Sequence, residues 1–351
     1  PALAKFLHQN QQNVTSIDIA MLAHGLGSGL TTKKQKLPGL AYSNSHAWLI
    51  ALQHHVVGRL QQKRSGGTFF DAHSWALFLN ACTRGHENED YKGLKEVLLQ
   101  ARSCRDIDFA LLSKDCKIQS VALISQALSR VFFSSTVSTS EAQCFLPALI
   151  QSSRAHADSA QIRDFAQLCL AFSRLCPLSL ADNNNGRDDT ESFGAFLRKK
   201  VETKLRESDV PNDVDAAAHL LLGFSRMAGS EDKANKIPDI STHVTNETHG
   251  KSGEIGFASK LVDYFCKSFD KNRTHVNSST CILGLQGLSG WSWPHIPKNV
   301  VVCMFEKALD PAILLRPVQL LLVMQSIGQL DLGKHLSRKC FEASVLALDK
   351  S

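Results

Sequence analysis

The chain has 351 residues, 43% of them hydrophobic and 21% charged, the balance of a globular protein with a sizeable core and not of a disordered or collagen-like one. Its formal charge of +6 favours a polyanion only mildly. The most apolar stretch, 313–324, is broken by Arg316 and Pro317 and falls short of the roughly 20 residues a membrane-spanning helix needs, so no membrane insertion is expected.

In chain order, amphipathic runs of helix length come in pairs. The first pair is 16–27 with 45–60, the second 72–83 with 91–103, and the third 117–131 with 140–155. The fourth is 159–175 with 191–207, the fifth 213–227 with 259–271, the sixth 278–288 with 299–309, and the seventh 315–328 with 334–348. Strand signals are weak throughout. The pattern predicts an all-α chain: one α-solenoid over 1–351, built from about seven antiparallel helix-pair repeats. The repeats span roughly 16–62, 71–104, 117–156, 159–207, 212–273, 277–310 and 314–350. Polar insertions are expected at 29–42, 181–190 and 229–256.

A short motif sits late in the first helix of each pair. It is clearest in Ala171-Phe172-Ser173-Arg174, Gly223-Phe224-Ser225-Arg226 and Ala127-Leu128-Ser129-Arg130. Its second residue is an apolar anchor: Leu26, Cys82, Leu128, Phe172, Phe224, Leu288 and Ile327. The positions just before and after every anchor are small, as in Gly25 and Gly27, Ala81 and Thr83, or Gly287 and Ser289. Small side chains there let a neighbouring helix approach closely while the anchor fills the core. Ala171 and Gly223 are therefore expected to resist enlargement.

Two further positions share one helix face, four residues apart. Two before the anchor stand His24, Asn80, Gln126, Leu170, Leu222, Gln286 and Gln325. Two after it stand Ser28, Arg84, Arg130, Arg174, Arg226, Gly290 and Gln329. Four consecutive Arg form a ladder of planar cationic forks suited to phosphates and able to stack on bases. An Arg near a helix C-terminus also complements the helix dipole and its last carbonyls, and the sequence leaves both roles open. Lys33, Lys34 and Lys36 in the first insertion add a second basic group.

The first-helix pattern, apolar-x-x-Ala-apolar-Ser-Arg-apolar followed by a second amphipathic helix, resembles the octatricopeptide and heptatricopeptide repeats. It is also similar to the helical region found with RAP domains in organellar RNA factors. The spacing here is irregular, Arg is lost from the first, sixth and seventh copies, and no RAP domain is recognisable. The resemblance implies RNA as ligand and an organelle as setting, mitochondrion or plastid. The first expectation is a structural component of the mitochondrial ribosome that holds rRNA beside neighbouring proteins of the ribonucleoprotein. One alternative is a soluble RNA maturation or stability factor. Another is a protein–protein scaffold of HEAT or armadillo kind without RNA contact.

Other chemistry finds little support. Ten cysteines form no C-x-x-C pair and read as small buried hydrophobes in a reducing compartment. Gly25-Leu26-Gly27-Ser28-Gly29 follows no strand and precedes no Gly-Lys-Ser/Thr, so it is a repeat anchor and not a phosphate loop. His54–His55 and His86–Glu87 lack metalloprotease spacing. No nucleophile, base and orienting group recur together, so no enzyme activity, small-molecule substrate, cofactor or metal is expected. Trp291 and Trp293 suit either a base stack or a packed turn.

Overall fold

The computed structural model describes residues 6–7, 9–10, 13–31, 40–63, 68–83, 91–133, 139–175, 192–207, 213–234, 251–290, 296–310, 317–330 and 345. Among them no strand occurs, and the regular elements are helices. In order they are α1 (Ser16–Thr31), α2 (Leu40–Gln62), α3 (Ala72–Thr83), α4 (Lys92–Ser103), α5 (Asp106–Leu111), α6 (Ile118–Phe133), α7 (Thr139–Gln143) and α8 (Leu146–His156). Then follow α9 (Ile162–Leu175), α10 (Phe193–Glu207), α11 (Val214–Ala234), α12 (Lys251–Lys271), α13 (Ser278–Ser289), α14 (Lys298–Ala308) and α15 (Pro317–Leu330). The chain divides into two compact units, Pro1–Ala160 and Gln161–Ser351.

All seven anchors lie at one place in their helices. α1, α3, α6, α9, α11, α13 and α15 each begin ten residues before the anchor. The residue just ahead of each start often supplies the cap. Asp71, Asp213 and Asn277 accept from the backbone N–H three residues on, at 2.6, 2.9 and 2.8 Å. Thr15 and Asp18 cap each other reciprocally, with Thr15 N–H to Asp18 at 2.9 Å and Asp18 N–H to the Thr15 hydroxyl at 3.2 Å. Asp164 reaches back to the Gln161 N–H at 2.9 Å. Each bond satisfies a donor that the helix start would otherwise leave open, contributing about 0.5–2 kcal/mol.

In the C-terminal unit α9, α11, α13 and α15 pack one on the next, as do α10, α12 and α14. α9 also packs on α10, α11 on α12, and α13 on α14. Two anchors, Phe172 and Phe224, fill space between the two rows. Phe172 meets Phe193 of α10 with ring centroids 4.6 Å apart, and Phe224 meets Phe257 of α12 at 4.9 Å. Burying such a ring is worth about 1.5–3 kcal/mol.

The small positions do what the pattern predicts on these helices. A Cβ added at Gly223 would lie 2.9 Å from the Cys169 carbonyl carbon of α9. One added at Gly287 would lie 2.8 Å from the Leu222 nitrogen of α11. Both glycines stand one before their anchors, and both rest on residues two and three before the previous anchor, so the register repeats. Gly25, at the same column of α1, has nothing within 4 Å and is exposed. The expected close approach is absent at that copy.

In the N-terminal unit α1, α3 and α6 likewise pack in series, with α2 on α1 and α8 on α6. The second pair departs from expectation. α5, unforeseen in the sequence, packs on α3, α4 and α8, so it links α3 with α4 in this pair. Its Asp106 is fully buried and gathers four donors. These are the Lys63 ammonium (2.5 Å), the Phe69 and Phe70 N–H groups (2.5 and 3.3 Å) and the Trp75 indole (2.9 Å). Trp75 packs edge-on to Phe70 at 4.8 Å. One carboxylate thus pins the α2–α3 connection to the core.

Other boundaries also shift. The expected helix 140–155 is two, α7 and α8, because the helix is interrupted at Cys144 and Phe145. The insertion at 29–42 narrows, since α1 runs to Thr31 and α2 starts at Leu40. The insertion at 229–256 narrows too, since α11 runs to Ala234 and α12 starts at Lys251. The insertion at 181–190, the seventh second helix at 334–348 apart from Val345, His86–Glu87, and Trp291 with Trp293 lie outside the described residues.

Candidate nucleic-acid interface

The two polar columns lie on the first helices, and their members differ in exposure. In the N-terminal unit His24 and Gln126 are half-buried and Asn80 is buried. The His24 Nδ1 is shut off from solvent and has no hydrogen-bond partner. In the C-terminal unit Gln286 is half-buried, whereas Gln325 and Gln329 on α15 are exposed. Arg84, Lys33, Lys34 and Lys36 lie outside the described residues.

The Arg column is half-buried at all three described positions. From α6, the Arg130 guanidinium donates to the Thr83 hydroxyl of α3 at 3.3 Å. Thr83 stands one after its anchor. Gly290 repeats that relation, since a Cβ there would strike the hydroxyl of Ser225, also one after its anchor. At these two copies the position therefore lies against the preceding first helix.

Arg174 sits in the last turn of α9. Its charge reaches His219 on α11. Burial pushes the His219 imidazole down from its ordinary value of 6.5; Asp215 opposes this, Arg174 adds to it and Asp213 opposes it. Arg226 differs from Arg174 in its place along the helix. α11 runs on to Ala234, so Arg226 stands two turns before the helix end, beyond reach of the last carbonyls. Its Nη1 is buried with no hydrogen-bond partner, and among the described residues no carboxylate pairs with it. Burial pushes the guanidinium below its usual value, yet it stays charged at neutral pH.

At the start of α11, Asp213 pairs with Arg163 at 3.7 Å, and Asp215 accepts from the Thr280 hydroxyl. Arg174 and Arg226 lie further along, beyond the anchors. Among the described residues no group of three or more His, Cys, Asp and Glu side chains is placed to hold a metal. No helix there is long and apolar enough to cross a membrane.

Sequence reasoning missed the Asp106 cluster because its acid lies in what reads as a connector. It also missed a column of alanines six before the anchor: Ala20, Ala76, Ala122, Ala166 and Ala218, all buried. That column lies five residues ahead of the small position that opens the motif. No protein-family model and no curated protein sequence matches the chain.

Proposed function

We propose that the chain is an RNA-binding α-solenoid of about seven helix pairs, of octatricopeptide or heptatricopeptide type. Its setting is an organelle, the mitochondrion before the plastid. There it serves as a structural component of the mitochondrial ribosome that holds rRNA. One observation carries the RNA reading: Arg226 is a half-buried guanidinium that neither a described carboxylate nor a helix end explains. Burying an uncompensated charge is costly, and an external phosphate offsets that cost. The constant ten-residue offset between helix start and anchor supports one repeating unit. Arg174 and Arg226, on neighbouring helices α9 and α11, stand at equivalent positions; helix packing sets a step of about 10 Å, within reach of successive or next-nearest phosphates. Insertions of unequal length suit a holder of folded RNA and protein neighbours better than a base-by-base reader.

A second reading, a protein–protein scaffold, draws on Arg130, which spends one donor on Thr83. RNA affinity measured over a range of salt separates the two, because phosphate contacts give a steep salt dependence. Co-sedimentation with ribosomal particles then separates a ribosomal component from a soluble maturation or stability factor.

A further inference from the structure

α5 reverses the usual placement of polar and apolar groups. Carboxylates ordinarily face water and a phenyl ring is ordinarily buried. Of the six residues Asp106–Leu111, Phe109 is 52% exposed and every other one, both aspartates included, is buried. Burying the two acids takes a cation each: Lys63 pairs with Asp106 and Arg102 with Asp108. Leu112, three residues after Phe109 and so on the same side of the turn, is 43% exposed.

The residue ahead of α5 breaks a further local preference. Arg105 joins α4 to α5 at φ 57°, the one described non-glycine residue with positive φ. That left-handed position after a helix end normally goes to glycine, which has no Cβ to clash. The Arg105 side chain is exposed, and its guanidinium lies over the Phe109 ring, 5.3 Å from the centroid. In Lys95–Phe132 and Arg198–Phe257 the ring is buried and the cation half-buried, as in a packing contact. Here both partners face water. Such departures, gathered at one spot, point to function rather than packing. Lys114 and Lys117, both exposed, come next in the chain.

We propose that Arg105 and Phe109 form a stacking platform for an unpaired base of RNA. This rests on the RNA reading above and adds that the RNA offers a single-stranded or looped-out base at this point. The chemistry selects the occupant. A guanidinium and a phenyl ring both stack on the face of a base, and such stacking tolerates any sequence because every base has a π-face. Lys114 and Lys117 add positive charge for the flanking phosphates. An apolar protein surface seated here would bury the Arg105 charge uncompensated, whereas a nucleotide brings its own phosphate.

Fluorescence anisotropy of the purified chain with a single-stranded RNA and with a duplex of the same sequence, each over a range of salt, tests this. Phe109→Ala is expected to weaken single-strand binding about tenfold or more. It is expected to leave the slope of log affinity against log salt unchanged, because stacking releases no counterion. Phe109→Trp keeps a π-face and is expected to bind like the parent; Phe109→Leu keeps only apolar bulk and is expected to bind like Phe109→Ala. Duplex affinity is expected to be the same for all of these, since paired bases are already stacked. Arg105→Gly relieves the left-handed backbone, so it is expected to unfold at a urea concentration no lower than the parent's and yet to lose single-strand affinity. Single-strand binding by Phe109→Ala equal to the parent's overturns the proposal. So does an equal loss on duplex and single strand, or a Phe109→Leu protein that binds like the parent, which makes the patch an apolar contact. A parent chain that binds neither RNA at any salt refutes the RNA reading itself, whereas an affinity that falls on Arg226→Ala but not on Phe109→Ala keeps that reading and removes only the platform.

Discussion

Enlarging Gly223 tests the packing of α11 on α9 with an internal control. A Cβ there would stand 2.9 Å from the Cys169 carbonyl carbon and 3.0 Å from the Leu170 nitrogen, both backbone atoms that no rotamer change can move aside. Ordinary contact is about 3.5–4.0 Å, so the two helices must part by about 0.5–1 Å even for alanine. Overpacking of this kind costs about 1–3 kcal/mol. Leaving glycine in a helix interior returns about 1 kcal/mol. Gly223→Ala is therefore expected to destabilise by about 0–2 kcal/mol, and Gly223→Leu by about 1–3 kcal/mol or more. Gly25 occupies the same column of α1 but meets nothing within 4 Å, so Gly25→Ala is expected to gain up to about 1 kcal/mol. Urea unfolding followed by circular dichroism reads all three variants. A Gly223→Ala protein as stable as Gly25→Ala would refute the close approach of these helices.

Three further outcomes are expected. Asp106→Ala strands the Lys63 ammonium, two N–H groups and the Trp75 indole, so it should cost about 3–5 kcal/mol; urea unfolding with the tryptophan fluorescence maximum as a second readout checks it. His219 and His55 are both pushed below 6.5 by burial first, with Arg174 and Arg59 adding to the shift. The unfolded chain then binds more protons than the folded one below about pH 6.5, so their stabilising contribution is present above that value and is lost as pH falls through and below it; His219→Gln should weaken the dependence in melting curves recorded from pH 7.5 to 5.5 (about two units spanning the imidazole range). Burial raises the Cys82 and Cys281 thiols to about 12, so an alkylating reagent at neutral pH should label both slowly in the folded protein, with half-buried Cys104 faster by peptide mass spectrometry.

The helical class and most helix positions were legible because each anchor marks a fixed point ten residues into a helix, and the apolar period around it is strong. The caps at Asp71, Asp213 and Asn277 came from the structure, although these residue types prefer that position. α5 was not. Its six residues, Asp106-Ile107-Asp108-Phe109-Ala110-Leu111, follow Arg105 in the left-handed region at φ 57°, and so short a segment has no period to detect. The break within 140–155 was hidden because apolar residues continue across it. For the interface, sequence placed Arg130, Arg174 and Arg226 in one column but said nothing of their depth. Depth depends on how far the preceding helix leans in, which only packing decides. The same holds for Asn80, a polar residue buried on the face expected to meet RNA.

The central claim is tested most directly by the salt dependence of RNA affinity, comparing the parent chain with Arg226→Ala. Fluorescence anisotropy against several unrelated single-stranded RNAs and a folded rRNA fragment supplies the readout. The account predicts that Arg226→Ala weakens binding by a similar factor for every RNA. It also predicts a plot of log affinity against log salt that is flatter by about 0.7–0.9 of a unit. An affinity and slope unchanged by the substitution, or no salt-dependent RNA binding by the parent chain, would contradict it.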